Sequence, residues 1–428
     1  MMKIMPVDQF DAEAFKTPPI QTGNEIEAAV DAIIQNVREK GDKALIEYAE
    51  KFDKVKIDAV TVSDEEIEEA FAACDEAFLN TLRQARDNIE AFHKRQVRNS
   101  FVVTEEGGKV LGQRVIPLKR VGLYVPGGTA PLSSSVLMNA LPPKIAGVKE
   151  IIIATPPGKD GKIHPAILCA AKIAGVTKIV KAGGAQAIAA LAYGTETIPQ
   201  VDKIVGPGNV YVATAKRRVY GLVDIDMIAG PSEILVLADG KSDPAFVAAD
   251  LLSQAEHDKL ASAILVTDSM ELAQKVQVEV ERQLQLLPRQ EIARTSIENN
   301  GKIVVAHDLS QGVEIANLIA PEHLEICVDE PFTYLGQIES AGSVFLGRNA
   351  PEALGDYWAG PNHTLPTSGT ARFSSPLSVD DFVKKSQFMY YSREALEEAK
   401  DQIVAFAKAE SLNGHANSVA IRFGESAV

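Results

Sequence analysis

Gln254 and His257 stand three residues apart in the run Leu251-Leu252-Ser253-Gln254-Ala255-Glu256-His257-Asp258. At about 3.6 residues per turn that spacing puts both on one helix face, so an amide oxygen and an imidazole nitrogen converge on one point. Such a pair can share a metal ion, or it can merely cap and decorate a helix end. A catalytic metal usually takes about three protein ligands. The further candidates are Asp356 and His363 in Gly355-Asp356-Tyr357-Trp358-Ala359-Gly360-Pro361-Asn362-His363, and His415 near the C-terminus. A second constellation is Glu322-His323 in Ala320-Pro321-Glu322-His323-Leu324-Glu325-Ile326-Cys327-Val328. An adjacent carboxyl and imidazole at a strand entry suit proton transfer, although an exposed helix-to-strand turn has the same composition. If this is a strand, alternation places His323, Glu325 and Cys327 on one face and Glu322 on the other. Cys327 is then either a nucleophile toward an aldehyde or a buried strand residue.

The chain has 428 residues, a formal net charge of -15 and three cysteines, Cys74, Cys169 and Cys327, each isolated. The negative charge argues against nucleic acid or an anionic membrane as partner and leaves a small molecule. Scattered cysteines offer neither a disulfide framework nor a thiolate zinc site, so a metal would be held by nitrogen and oxygen. Residues 1–15 lack a signal-peptide pattern, and no apolar run approaches the roughly 20 residues needed to span a bilayer. The expected location is the cytoplasm.

The elements that must position these groups alternate in type. Residues 24–52 and 67–95 carry apolar positions at helical spacing, the second run introduced by the capping-box sequence Ser63-Asp64-Glu65-Glu66. His93, among charged neighbours, is expected to be solvated, and His307 to be a structural turn residue. From Gly112 the character changes. Strands are expected over 120–125, 150–154, 178–182, 203–205, 231–237, 263–266 and 302–305, with helices between them, and 378–410 is expected to be helical. This pattern predicts an α/β protein with two adjacent doubly wound Rossmann-like sheets, a small N-terminal arm and a C-terminal helical tail. The expected domains are the arm, 1–20; a discontinuous domain, 21–120 plus 233–377, with the metal and substrate site; a second domain, 121–232, with the cofactor site; and the tail, 378–428.

Three strand ends carry glycine turns: Val125-Pro126-Gly127-Gly128, Ala182-Gly183-Gly184 and Val205-Gly206-Pro207-Gly208. Ligands bind at the carboxyl ends of parallel strands, and glycine lets backbone N–H groups approach phosphates beside helix N-termini. None matches Gly-x-Gly-x-x-Gly, and glycine is also ordinary turn chemistry. Three along one sheet edge favour a nucleotide. The segment 355–376 is a long polar loop interspersed with aromatic residues, as expected of a loop that serves a site.

In Ser253-Gln254-Ala255-Glu256-His257, Ala320-Pro321-Glu322-His323, Gly355-Asp356-Tyr357 with Asn362-His363, and the tail from Glu410 to His415, taken in this order and spacing, the chain resembles the L-histidinol dehydrogenase family. The resemblance runs from about Asn24 to Phe423. It implies a homodimer with one zinc per subunit that oxidises L-histidinol through L-histidinaldehyde to L-histidine in two NAD-dependent steps, the last of histidine biosynthesis. It also implies residue roles. Zinc would be held by Gln254, His257, Asp356 and His415 of the partner subunit. Ser232, His323, His363 and the partner's Glu410 would join those ligands around the substrate, and NAD would meet Tyr124, Gln186 and Asn209. His323 would take the alcohol proton and Glu322 would activate water, which leaves Cys327 without a role. The arm and the tail would exchange between subunits. The rival readings are a paralogous NAD-dependent dehydrogenase of another small alcohol, a zinc hydrolase using Glu322 without NAD, and a metabolite-binding protein, which the density of ionisable groups disfavours.

Overall fold

The computed structural model describes residues 1–11, 15, 23–127 and 131–428. In chain order its strands are β1 (Lys3–Pro6), β2 (Phe101–Glu105), β3 (Lys109–Pro117), β4 (Arg120–Tyr124), β5 (Glu150–Thr155), β6 (Lys178–Lys181), β7 (Lys203–Val205), β8 (Asp224–Ile225), β9 (Glu233–Ala238), β10 (Ser262–Thr267), β11 (Lys302–Val305), β12 (His323–Cys327), β13 (Ser343–Leu346) and β14 (Val383–Tyr391). The chain divides into two compact units, residues 1–96 with 118–382, and 97–117 with 383–428.

The first unit holds two parallel sheets, ordered β1-β11-β10-β9-β12-β13 and β6-β5-β4-β7-β8. Parallel neighbours require crossovers, and the intervening helices supply them. Strands covered on both faces read as unbroken apolar runs, and Ile234, Leu235, Val236 and Leu237 of β9 are all fully buried. The expected α/β class with two adjacent parallel sheets is therefore the observed one. The start of the expected N-terminal arm is β1, which pairs with β11 at the edge of the six-stranded sheet. Residues 12–14 and 16–22, which include most of that arm's second half, lie outside the described residues, as do Gly128 and the two residues after it.

The helices before the first sheet differ from expectation in what they cover. Val30, Ile33, Ile34 and Val37 of the helix Asn24–Lys40 share a core with Ile152, Val180, Ile188 and Leu191. Leu79, Leu82 and Ile89 of the helix Glu76–His93 pack with Val121, Leu123 and Ile151. Residues 24–93 thus belong with the five-stranded sheet, whereas the expected boundaries grouped 21–120 with 233–377. The capping box forms, with Glu66 N donating to Ser63 Oγ (3.2 Å) and Ser63 N to Glu66 Oε2 (3.0 Å). The helix it starts stops at Ala73, so the run expected over 67–95 is two helices. His93 is buried, not solvated: Nδ1 donates to Ile89 O at 2.9 Å, and Asn362 Nδ2 lies 3.4 Å from Nε2. The exposed ring of His307 stands in a turn, as expected.

In the second unit β14 pairs antiparallel with β3 from Val383 opposite Pro117 to Tyr391 opposite Lys109, and β2 flanks β3. The first half of the helix expected over 378–410 is therefore a strand. Val383, Phe388, Tyr390 and Tyr391 suit a pleated surface, and the partner that makes the pairing worthwhile is remote in sequence. The helices Arg393–Ala409 and Asn413–Ala420 complete this unit.

A buried ion pair fixes the turn after β7. Lys216 Nζ bonds Asp226 Oδ1 and donates to Gly206 O at 3.0 Å, while Gly206 N donates to Asp226 Oδ2 at 2.7 Å. Gly206 has φ 113°, and a Cβ there would stand 2.1 Å from Tyr124 O, so the turn requires glycine. Removing one partner leaves a buried charge uncompensated, so Lys216→Ala should lower the unfolding free energy by about 3–5 kcal/mol in a urea titration. A loss below about 1 kcal/mol would mean that water solvates Asp226 in the variant.

Candidate active site

Two strand entries side by side build one corner of the candidate site. The helix Leu309–Ile319 ends at Ala320, whose φ of 54° lies in the left-handed region. That turn delivers Glu322 and His323 to the start of β12, where His323 pairs with Ile234 of β9. The backbone of Glu233, the first residue of β9, holds both side chains. His323 Nδ1 donates to Glu233 O (2.9 Å), and Glu233 N donates to Glu322 Oε2 (2.9 Å). With its proton on Nδ1, His323 carries a lone pair on Nε2, which is buried and has no hydrogen-bond partner among the described residues. Burial pushes the His323 pKa down to about 4 and that of Glu322 well above the usual carboxylate range.

The second half of the corner forms around Glu352, which begins the short helix Glu352–Tyr357 and is buried. Ser253 Oγ donates to its Oε2 at 2.7 Å, and its own backbone N donates to Glu325 Oε1 at 2.7 Å. The amide of Gln254, at the end of the helix Pro244–Ala255, is satisfied when its nitrogen donates to both Glu352 oxygens, at 2.7 and 3.1 Å. The atom then facing His257 Nδ1, at 3.3 Å, is the amide oxygen. The expected convergence of an amide oxygen and an imidazole nitrogen is thus present, fixed by a carboxylate that the sequence reading missed. Glu352 lies one helical turn before Asp356, and that i, i+4 carboxylate spacing was the available signal.

Ligating atoms of His257, Glu352 and Asp356 all lie within 4.8 Å of one another. Asp356 Oδ1 is 3.5 Å from His363 Nδ1. Burial pushes the Asp356 carboxyl up, but the hydrogen bond and charge of His363 outweigh it and hold it below the usual range. Burial raises Glu352 to about 8. His257 keeps an open outer edge, yet desolvation by the surrounding protein holds its pKa below that of a free imidazole. Glu352 Oε1 is also 4.0 Å from His323 Nε2, so one carboxylate touches both halves of the corner. A nitrogen and oxygen donor set of this kind suits zinc and also accepts manganese or cobalt.

Cys327 follows the expected alternation and shares its side of β12 with Glu325, whose Oε2 is 3.9 Å away. Burial, reinforced by the charges of Glu325 and Asp250, raises its pKa far above that of a free thiol, which removes it as a nucleophile. The loop after Asp356 is pinned on both sides. Asn362 Nδ2 donates to Met138 O (2.7 Å), His363 Nε2 lies 3.4 Å from Ser135 Oγ, and Gly230 N donates to Thr367 Oγ1 (2.7 Å). Ser232 immediately precedes β9, and its carbonyl accepts from Ser262 N at 3.0 Å. Glu410 and His415 belong to the second unit, at the end of the helix Arg393–Ala409 and within Asn413–Ala420, and both are exposed.

Two of the glycine turns, through Gly127 and through Gly183 and Gly184, line one cleft of about 1050 Å³ with Tyr124 and Gln186, and the third is represented there by Asn209, the residue after it. Tyr124 Oη accepts from Gly184 N at 3.0 Å, and Asn209 Oδ1 caps the helix Val210–Val219 by accepting from Tyr211 N and Val212 N, at 3.0 and 3.2 Å. The first turns of Pro165–Ala174 and Gly184–Tyr193 also reach the cleft, giving helix N-termini suited to anionic groups. Asp53, another residue the sequence reading missed, lines the same wall, and burial raises it to about 6. The cleft lies at carboxyl strand ends, as expected. The corner around Glu322 and His323, by contrast, lies at the amino ends of β9 and β12. The pinned loop spans the two, since Ser135 and Met138 sit in the helix Ser133–Ala146 just beyond Pro131 of the cleft.

A cleft at the carboxyl strand ends of one parallel sheet, together with a buried imidazole and a nitrogen and oxygen donor set on another, suits an α/β oxidoreductase. The histidinol dehydrogenase family model matches residues 17–423. The chain is 59% identical over 399 residues to the histidinol dehydrogenase of Clostridium acetobutylicum, covering 93% of each chain, and 56% identical over 401 residues to that of Listeria monocytogenes, covering 94% of each. The crystal structure of histidinol dehydrogenase from Elizabethkingia anophelis superposes with a TM-score of 0.93 at 40% identity, over 99% of this chain and 98% of the other. The chain belongs to the histidinol dehydrogenase family, the NAD-dependent oxidoreductases that act on histidinol in the final steps of histidine biosynthesis. The hydrolase and binding-protein alternatives are thereby set aside.

Proposed function

We propose that Gln254, His257 and Asp356, with His415 of the partner subunit, hold one zinc ion per subunit, and that Tyr124, Gln186 and Asn209 receive NAD in the glycine-turn cleft. Ser232, His363 and the partner's Glu410 complete the substrate pocket. The chief support is the arrangement around Glu352. This carboxylate turns the Gln254 oxygen toward His257, lies within 4.8 Å of His257 and Asp356, and stands 4.0 Å from the bare Nε2 of His323. The donor set, nitrogen and oxygen without sulfur, fits zinc. When bound, the ion would serve as a template for the substrate's imidazole and amino groups, and NAD would accept a hydride in each oxidation.

The chain's own residues manage the protons. His323 accepts the alcohol proton at Nε2; its Nδ1–H stays on Glu233 O, which fixes ring orientation and tautomer. Burial keeps this imidazole neutral at working pH, hence able to accept. Water must then add to the aldehyde before a second hydride can leave. Glu322 takes a proton from that water, and the burial that raises its pKa makes its carboxylate a stronger base. His323 serves again as base for the hydrated aldehyde.

The five-stranded half carries the cofactor and the six-stranded half the substrate and metal. The protein acts as a homodimer that exchanges its C-terminal tail. The second unit supports this by leaving Phe101, Val102, Met389, Tyr390 and Phe406 exposed alongside Glu410 and His415. Among the described residues no helix is long and apolar enough to cross a membrane, and the net charge of -15 disfavours nucleic acid. The proposed location is the cytoplasm.

Limiting L-histidinol given to the protein with zinc and excess NAD should yield two NADH per molecule, followed by absorbance. A chelator should abolish the signal and added zinc restore it. No NADH from histidinol, with turnover of another small alcohol, would favour the paralogue.

A further inference from the structure

Cys74 and Cys169 are 95 positions apart, and nothing in their sequence surroundings relates them. The fold brings their sulfurs to 2.7 Å. Cys74 follows the last residue of the helix Asp64–Ala73, and Cys169 sits in the helix Pro165–Ala174. Three further links join these segments or tie them to the sheet: Lys172 to Glu68 (2.6 Å), Lys162 to Glu69 (3.1 Å) and Lys181 to Glu66 (2.6 Å). The sulfurs are thus held together by a junction that does not depend on them. An S–S bond is about 2.05 Å long, so closure requires a shift of roughly two-thirds of an ångström.

We propose that Cys74 and Cys169 are a dithiol pair that a peroxide oxidises to a reversible intramolecular disulfide. Cys74 is partly exposed and meets the oxidant first, whereas Cys169 is fully buried. The Cys74 thiolate attacks one peroxide oxygen, the O–O bond breaks, and hydroxide leaves, giving a sulfenic acid. The Cys169 sulfur then attacks the Cys74 sulfur. The S–S bond forms, the S–O bond breaks, and water departs with the Cys169 proton. Two sulfurs supply two electrons, and hydrogen peroxide becomes two waters. The order agrees with the surroundings of Cys169, whose thiol burial pushes up to about 12, which makes it a poor first nucleophile. Cys327 lies in a separate core and keeps its thiol.

The bond would make covalent a junction that supports one wall of the cleft, because His164, Pro165 and Ile167 line it from the first turn of the helix that carries Cys169. The test uses the full chain as purified, treated with a small excess of hydrogen peroxide, unfolded, and titrated for free thiols with parallel peptide mass mapping. Three thiols should fall to one, a Cys74–Cys169 linked peptide should appear, and dithiothreitol should restore three. The melting temperature of the oxidised protein should rise by several degrees, a rise absent from Cys74→Ser and from Cys169→Ala. Three thiols surviving the oxidant would overturn the proposal. So would a loss of thiol at Cys74 that yields sulfinic acid with no linked peptide.

Discussion

His323→Asn lowers kcat roughly 10²–10⁴-fold while zinc content and NAD binding stay at wild-type values. Asparagine is the informative replacement because its side-chain N–H can take over the donation that Nδ1 makes to Glu233 O at 2.9 Å. What it lacks is the lone pair at the position of Nε2, the atom that has no hydrogen-bond partner among the described residues. The loss therefore isolates proton acceptance from ring placement. Both oxidations should slow, since the same nitrogen serves each, and NADH should form without a fast first turnover. In the wild type the imidazole is neutral down to about pH 4 because burial disfavours its charged form, whereas a free histidine protonates near 6.5. The acid limb of kcat set by His323 therefore lies below pH 6. A variant within threefold of wild type would remove His323 as the base.

Mixing a His257→Ala protein with a His415→Ala protein restores activity that neither has alone. With the proposed ligand set, each parent dimer lacks a zinc ligand in both sites. If the tail crosses, a hybrid dimer collects both lost ligands in one site and leaves the other complete, so random exchange recovers about a quarter of wild-type activity. If His415 serves its own subunit, every site of the hybrid is damaged and nothing returns. Zinc content should follow the same arithmetic, which separates ligand loss from misfolding. Subunit exchange confirmed by differently tagged chains, with no recovery, would rule out the crossed tail.

Much of this protein was legible before folding. Continuous apolar runs such as Ile234 to Leu237 mark strands buried on both faces, because only covered parallel strands tolerate them. The three glycine turns were readable for a similar reason: a backbone that closes on itself or on a ligand excludes side chains, as Gly206 shows against Tyr124 O. Spacing brought Gln254 near His257, but not on one helix face: the helix ends at Ala255, and His257 stands in the turn beyond it with its N–H donating to Gln254 O at 3.1 Å. Family membership follows from these motifs in their order.

Tertiary structure decided everything that depends on a partner remote in the chain. Periodicity says that the helix Asn24–Lys40 has an apolar face, not which sheet that face covers, and it covers the one the sequence reading did not choose. The residues of β14 became a strand because β3 was there to pair with them. His93 was buried by a loop some 270 residues away, through Asn362. Glu352 acquired its role only when the fold set it between Ser253, Gln254 and His323, and Cys74 met Cys169 in the same way. Local sequence determines which conformations a segment prefers and which face it must hide. The surface that hides it, and the groups brought within a few ångströms by doing so, are settled by packing of the whole chain, because only there do desolvation and long-range contact repay the entropy of bringing distant segments together.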